Sequence, residues 1–90
     1  MPQAIVDPEE LRRFALSLKK FSSDMQERSS SLNGQLAALE RTWRDQEQKK
    51  FTEEFQQQTL ALARLIEMID RHIPYLLRKA ELIEEYLQQR

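Results

Sequence analysis

Ninety residues with a formal net charge of −1 make one small domain at most, at the lower limit for burying a core of its own. Acidic and basic residues are interspersed along the chain, which argues against a nucleic-acid binder, and the lack of cysteine excludes disulfides and thiolate metal sites. One glycine and three prolines among abundant Leu, Ala, Glu, Gln, Lys and Arg point to a nearly all-helical chain.

The first helix is predicted from the stretch VDPEELRRF. Asp7 suits an N-cap, Pro8 the first helical position, and Glu9 and Glu10 the positive end of the helix dipole. Apolar residues then recur at Leu11, Phe14, Leu18, Phe21 and Met25, and the seam passes through Arg28 to Leu32, Leu36, Leu39 and Trp43. The two consecutive steps of four from Arg28 to Leu36 read as a stutter. The run SSSLNGQ (residues 29–35) contains the sole glycine and is the weak point of this helix. It leaves two readings: a break giving three helices, or a continuous helix whose small residues let a second one approach. The seam resumes in register beyond Gly34, which favours continuity.

After Trp43 the pattern restarts. Asp45 with Gln48 three residues on is a capping-box arrangement, and Glu47 adds charge to the first turn. The second seam runs Phe51, Phe55, Thr59, Leu62, Ile66, Ile69, Ile73, Leu76, Ala80, Ile83 and Leu87, with an early stutter and then a steady heptad. Pro74 cannot donate to the carbonyl of Asp70, so a kink or local break is expected at 70–74, read as a bend. The predicted elements are helix one over about 8–41, a turn over about 42–45 and helix two over about 46–88, an antiparallel two-helix hairpin.

A second apolar stripe flanks the main seam at Leu60, Leu65, Met68, Leu77, Leu82 and Tyr86 on helix two, and at Ile5, Ala15, Ala37 and Ala38 on helix one. An apolar sector wider than one seam implies more than one helix neighbour. Leaving it wet forfeits on the order of 10 kcal/mol at ~25 cal/mol per Å2. Dimerisation into an elongated four-helix bundle is the expected remedy, with a monomeric hairpin as the alternative.

Catalytic chemistry has little support. His72 is the single histidine and reads as a helix-surface residue, because a metal site needs several converging ligands. Glu53/Glu54 and Glu84/Glu85 read as a solvated face, and Glu9/Arg13, Lys20/Asp24, Asp24/Arg28 and Glu67/Arg71 as surface i,i+4 pairs. The serine run has no visible base, and no phosphate loop can be built with one glycine. Phe14/Phe21 and Phe51/Phe55 read as core pairs. Neither an enzyme nor a cofactor is expected. No stretch of about 18 apolar residues suggests a membrane span, and the N-terminus does not read as a cleaved secretory signal.

Two amphipathic legs around Trp43-Arg44-Asp45, with Phe51 two turns later, resemble the WXG-hundred family, the Esx-like helical hairpins of type VII secretion. The resemblance covers essentially the whole chain. Asp45 stands where that family usually has glycine, and aspartate can occupy the left-handed region or cap a helix. The tyrosine-x3-acid export pattern is absent, since Tyr75 is followed by Lys79 and Tyr86 by Arg90. A looser hydrophobic and acidic pattern is met by Ile66, Asp70, Ile73 and Leu77.

The resemblance implies a secretion substrate, or the partner or chaperone subunit of one, that pairs with itself or with a WXG-type paralogue and engages a type VII secretion ATPase. Such a protein is cytoplasmic before export and leaves without a cleaved signal peptide. In an antiparallel dimer Trp43 would lie beside the partner's Ile83–Leu87 segment and create a composite surface; alternatively it plugs its own hairpin. A different class of reading is an intracellular coiled-coil adaptor that is never exported. A type III needle-like hairpin fits less well, because the turn lacks paired prolines. The candidate interface residues are Leu11, Phe14, Leu18, Phe21, Met25, Leu32, Leu36, Leu39, Phe51, Phe55, Leu62, Ile66, Ile69, Ile73, Leu76, Ile83, Tyr86 and Leu87.

Overall fold

A computed structural model describes residues 6–89 of the chain; Ile5 and Arg90 lie outside them. Among the described residues there are two α-helices, α1 over Pro8–Leu39 and α2 over Gln46–Gln88, and no strand. Side-chain bonds join Arg12 to Glu84, Ser22 to Asp70 and Glu40 to Thr52. Their descending order along α2 makes the pair antiparallel. The hairpin measures 68 × 19 × 15 Å, close to the ~65 Å that a straight 43-residue helix spans.

Both helix starts are capped. The Asp7 carboxylate accepts from the Glu9 backbone N–H at 3.0 Å, with Pro8 opening the helix behind it. The Asp45 carboxylate accepts from the Gln48 N–H at 2.9 Å. The reciprocal arm of the expected capping box is absent. The Gln48 amide instead donates to Glu40 Oε2 at 3.0 Å and to Thr52 Oγ1 at 2.8 Å. Thr52 donates to the same Glu40 oxygen at 2.8 Å, so the side chain spared from capping ties α2 back to the end of α1.

α1 runs unbroken across Ser29–Gly34. The glycine faces open space, and a Cβ built on it meets nothing within 4 Å. α2 likewise continues through Pro74 without terminating. Pro74 and Asp70 are both exposed, where water can satisfy the carbonyl that proline leaves without a donor.

The interhelical register differs from the one expected. Ala15 and Ser22 are buried, whereas Phe14 and Phe21 are 56% and 48% exposed. The α1 seam is therefore Pro8, Leu11, Ala15, Leu18, Ser22, Met25, Ser29, Leu32 and Leu36, an unbroken alternation of threes and fours. The stutter through Arg28, itself exposed, disappears. On α2 the same holds at the turn end, where Thr52 is half-buried in the seam and Phe51 is 44% exposed. The seam then follows Phe55, Thr59, Leu62, Ile66, Ile69, Ile73, Leu76, Ala80 and Ile83, as expected. Small side chains win these positions because they let the two backbones approach closely, and the phenylalanines are displaced to the flank. Ala15, expected off the seam, thus belongs in it, while Phe14, Phe21 and Phe51 do not form the hairpin's core.

Among the described residues the buried apolar ones are Pro8, Ala15, Ile66 and Ala80, and no large side chain is fully buried. The chain exposes 7549 Å2, against about 5,500 Å2 for a compact protein of its 10.8 kDa mass. Its radius of gyration is 20.3 Å, where a compact domain of this length has about 12 Å. The hairpin therefore leaves about 2,000 Å2 more surface in water than a compact chain of this mass.

Candidate interaction surface

The turn is built without glycine. α1 ends on Glu40, which stays right-handed at φ −65°, and the Arg41, Thr42 and Trp43 N–H groups bond back to Ala38 and Leu39 carbonyls. This tightening of the last turn gives partners to the Ala38 and Leu39 carbonyls at the end of α1. The chain then becomes extended, and Asp45 sits at φ −96°, ψ −172°. No described residue has a positive φ, so the aspartate in the glycine position is unstrained and contributes a cap that glycine cannot.

Trp43 is half-buried. Its ring lies 5.8 Å from Phe51, tilted by 39°, and Phe51 lies 5.8 Å from Phe55. These separations suit tilted aromatic pairs. The indole thus begins an aromatic ladder that climbs one flank of α2.

That flank belongs to one broad face of the hairpin. In an antiparallel pair, the flanks lying on the same rotational side of both seams point the same way. Phe14 and Phe21 sit one position before Ala15 and Ser22, as Phe51, Leu65 and Tyr86 sit one position before Thr52, Ile66 and Leu87. All five are exposed. An apolar groove lined by Leu32, Gln35, Leu36 and Leu39 of α1 and by Phe51 and Phe55 of α2 joins the two helices on this side near the turn. The opposite face is mixed: one groove sets Gln26, Ser29, Ser30 and Asn33 against Thr59, Glu67 and Asp70, with Leu62, Ala63 and Ile66 also lining it, and exposed Leu16, Leu60 and Leu77 lie on this side.

The candidate interface residues consequently divide into two sets. Leu11, Leu18, Met25, Leu36, Phe55, Leu62, Ile69, Ile73, Leu76 and Ile83 are half-buried and Ile66 is buried, all at the seam. Phe14, Phe21, Leu32, Leu39, Phe51, Tyr86 and Leu87 are exposed and available to another molecule.

Two polar contacts lock the hairpin's register and escaped the sequence reading. Buried Ser22 donates to Asp70 Oδ1 at 2.7 Å and accepts weakly from the Gln26 amide at 3.3 Å. Arg12 reaches both carboxylate oxygens of Glu84, which is half-buried instead of part of a solvated face. The hydrogen bond from Arg12, reinforced by its charge, holds the Glu84 carboxyl below the usual carboxylate range. Of the four surface pairs expected, Lys20–Asp24 forms at 3.3 Å. Arg12, and not Arg13, pairs with Glu9 at 3.3 Å, and neither Asp24/Arg28 nor Glu67/Arg71 comes within ion-pair distance.

His72 is exposed, with Nδ1 2.7 Å from the Met68 carbonyl of its own helix. Among the described residues no His, Cys, Asp and Glu cluster could hold a metal, and no helix is long and apolar enough to cross a membrane. What the arrangement offers is a helical face to be packed against.

A glycine-poor helical hairpin with a tryptophan turn and an uncovered apolar face defines a class of small helical pairing proteins. The chain belongs to the WXG family, described as proteins of 100 residues with WXG, whose model matches residues 3–86. No curated protein matches it significantly. Among solved structures it is similar to the secreted protein EsxB of Bacillus anthracis strain Sterne. For the wild type in one crystal form, identity is 31% and the TM-score 0.76, over 90% of this chain and 93% of that one. A selenomethionine form gives 29% and 0.79 over 96% and 98%, and a point mutant 30% and 0.79 over 93% and 97%. The chain is a small helical protein associated with type VII secretion, in a family of non-enzymatic proteins.

Proposed function

We propose that the protein acts as half of an elongated four-helix dimer, by preference a homodimer, and is itself a type VII secretion substrate or the partner subunit of one. The observation that carries this reading is the apolar face on a hairpin with almost no core. About 2,000 Å2 more surface is exposed than a compact chain would show, and a standard interface removes about 800 Å2 from each partner. A second hairpin laid on Phe14, Phe21, Phe51 and Leu65 supplies the missing burial at protein-interior density. The likeness to a secreted protein across nearly the full length of both chains supports export.

The antiparallel arrangement brings the turn of one hairpin to the open end of the other. Trp43 and Phe51 of one copy then adjoin the exposed Tyr86 and Leu87 of its partner. A type VII secretion ATPase reading that composite patch would select the dimer over the free chain. Trp43 packs on Phe51 within its own hairpin as well, so the same ring serves fold and surface together.

The test is detection in culture supernatant of wild-type cells and of cells lacking the type VII ATPase, for the parent chain and for Phe21→Glu. Export that requires both the ATPase and an intact apolar face supports the proposal. Retention of the parent chain in the cytosol, bound to a larger assembly, supports a non-exported adaptor instead.

A further inference from the structure

The outer side of α2 carries a second surface, adjoining the dimer face at its edge. Met68, Tyr75 and Leu82 are spaced by seven and all are exposed. At 3.5 residues per turn they fall on one line, roughly 130° round the helix from the α1 seam. A four-helix bundle covers about 90° from one neighbour to the next, so this line stays at its outer edge. Exposed Arg64, Arg71 and Arg78 run along its outer side, while on its inner side Leu65, His72 and Lys79 share the heptad row of Phe51 and Tyr86 and belong to the dimer face.

Charge is therefore segregated around α2 although it is interspersed along the sequence. From residue 57 to residue 82 these three rows contain no carboxylate. Glu54 and Glu85 bracket the strip, and Glu67 and Glu81 lie beyond the arginine row. Among the described residues none of the three arginines is in an ion pair. Two hollows repeat with the heptad, one lined by Met68, Arg71, His72 and Tyr75 and the next by Tyr75, Arg78, Lys79 and Leu82.

We infer that this strip docks an amphipathic α-helix of a different protein, apolar at its heptad positions and acidic on the flank that meets the arginine row. The hollows are sites for successive knobs of that helix, and the arginine row matches a row of acidic flanking positions. Met68 to Leu82 spans about 21 Å, so the occupant contributes about four turns. A lipid surface fits less well, because the apolar line is one side chain wide where interfacial helices present a broad apolar sector. The inference does not depend on whether the chain is exported.

The probe is a pair of amphipathic peptides of about 20 residues, with leucine at a and d and either glutamate or lysine at e and g. Each is titrated against the full-length chain by fluorescence anisotropy. The glutamate peptide binds about tenfold or more tightly than the lysine peptide, and more weakly as salt rises. The combined variant Arg64→Glu, Arg71→Glu, Arg78→Glu loses that preference while its helicity and oligomeric state match the parent's. Tyr75→Ala weakens both peptides. Equal binding of the two peptides, or preference surviving charge reversal, overturns the inference. So does dissociation of the chain's own assembly on reversal, which would make the strip a self-contact. Tighter binding to phosphatidylserine vesicles than to the glutamate peptide would replace the helix with a lipid surface.

Discussion

Asp45 is the position at which this chain departs from its family's glycine, and its geometry fixes what each replacement does. The carboxylate accepts one hydrogen bond from the Gln48 N–H at 2.9 Å and places a negative charge at the N-terminus of a 43-residue helix. Removing the bond costs about 1 kcal/mol, and removing the charge a further ~0.5 kcal/mol. Asp45→Asn, which keeps the acceptor, is expected to lose about 0.5 kcal/mol, and Asp45→Ala about 1.5 kcal/mol. Glycine restores access to the left-handed region, but a backbone at φ −96° does not use it. Asp45→Gly therefore falls between the other two, at about 1 kcal/mol. Thermal unfolding at one fixed protein concentration, so that association is held constant, reads these as losses of roughly 4–8 °C per kcal/mol. A glycine variant as stable as the parent would show that the turn needs conformational freedom after all. A neutral alanine variant would show that the cap holds nothing.

Gly34→Ala adds a Cβ into open space inside α1 and should stabilise by about 0.5–1 kcal/mol in urea melts; destabilisation would mean that something packs there. Ile66→Ala removes a buried seam side chain and should cost about 2–5 kcal/mol at every protein concentration. Phe21→Ala should instead shift the concentration dependence of unfolding, because that ring is exposed in the single hairpin. The Glu84 carboxyl is depressed by Arg12, so its contribution to stability is complete above the unfolded carboxylate range and disappears as pH falls through its lowered pKa. Arg12→Ala and Glu84→Gln should each flatten the acid limb of a stability-against-pH curve; parallel curves would remove this pair from the account.

Helix type, hairpin topology and the Asp7 and Asp45 caps were legible because each rests on local chemistry: cap residues, a proline at the helix start, and sustained periodicity. The seam was misread by one position at Phe14, Phe21, Arg28 and Phe51, always in favour of the larger or longer side chain over a small neighbour. Hydrophobicity predicts which residues leave water, not which partner they leave it for. Close helix approach selected Ala15, Ser22, Ser29 and Thr52 for the intramolecular seam and left Phe14, Phe21 and Phe51 exposed on the flank. The two stutters were products of that choice, and both vanish in the observed register. Ser22–Asp70 and Arg12–Glu84 were invisible because they join residues 48 and 72 positions apart. Locating them requires the interhelical register first. The polar interruptions of the seam are these small hydroxyl residues, not the exposed Arg28.

The burial argument also explains why the turn tolerates a charged residue. With Trp43 against Phe51 and Glu40 tied to Gln48 and Thr52, the reversal is held by side chains on both sides of it. The Asp45 carboxylate points outward to cap α2, and no bare backbone is required for the chain to double back.

Sedimentation equilibrium of the parent chain and of Phe14→Glu/Phe21→Glu, over a hundredfold range of concentration, bears most directly on the uncovered apolar face. The account predicts a parent species of twice the 10.8 kDa chain mass and a variant that is monomeric with much reduced helicity. A parent chain that stays monomeric and fully helical throughout, or a variant that assembles as well as the parent, would contradict it.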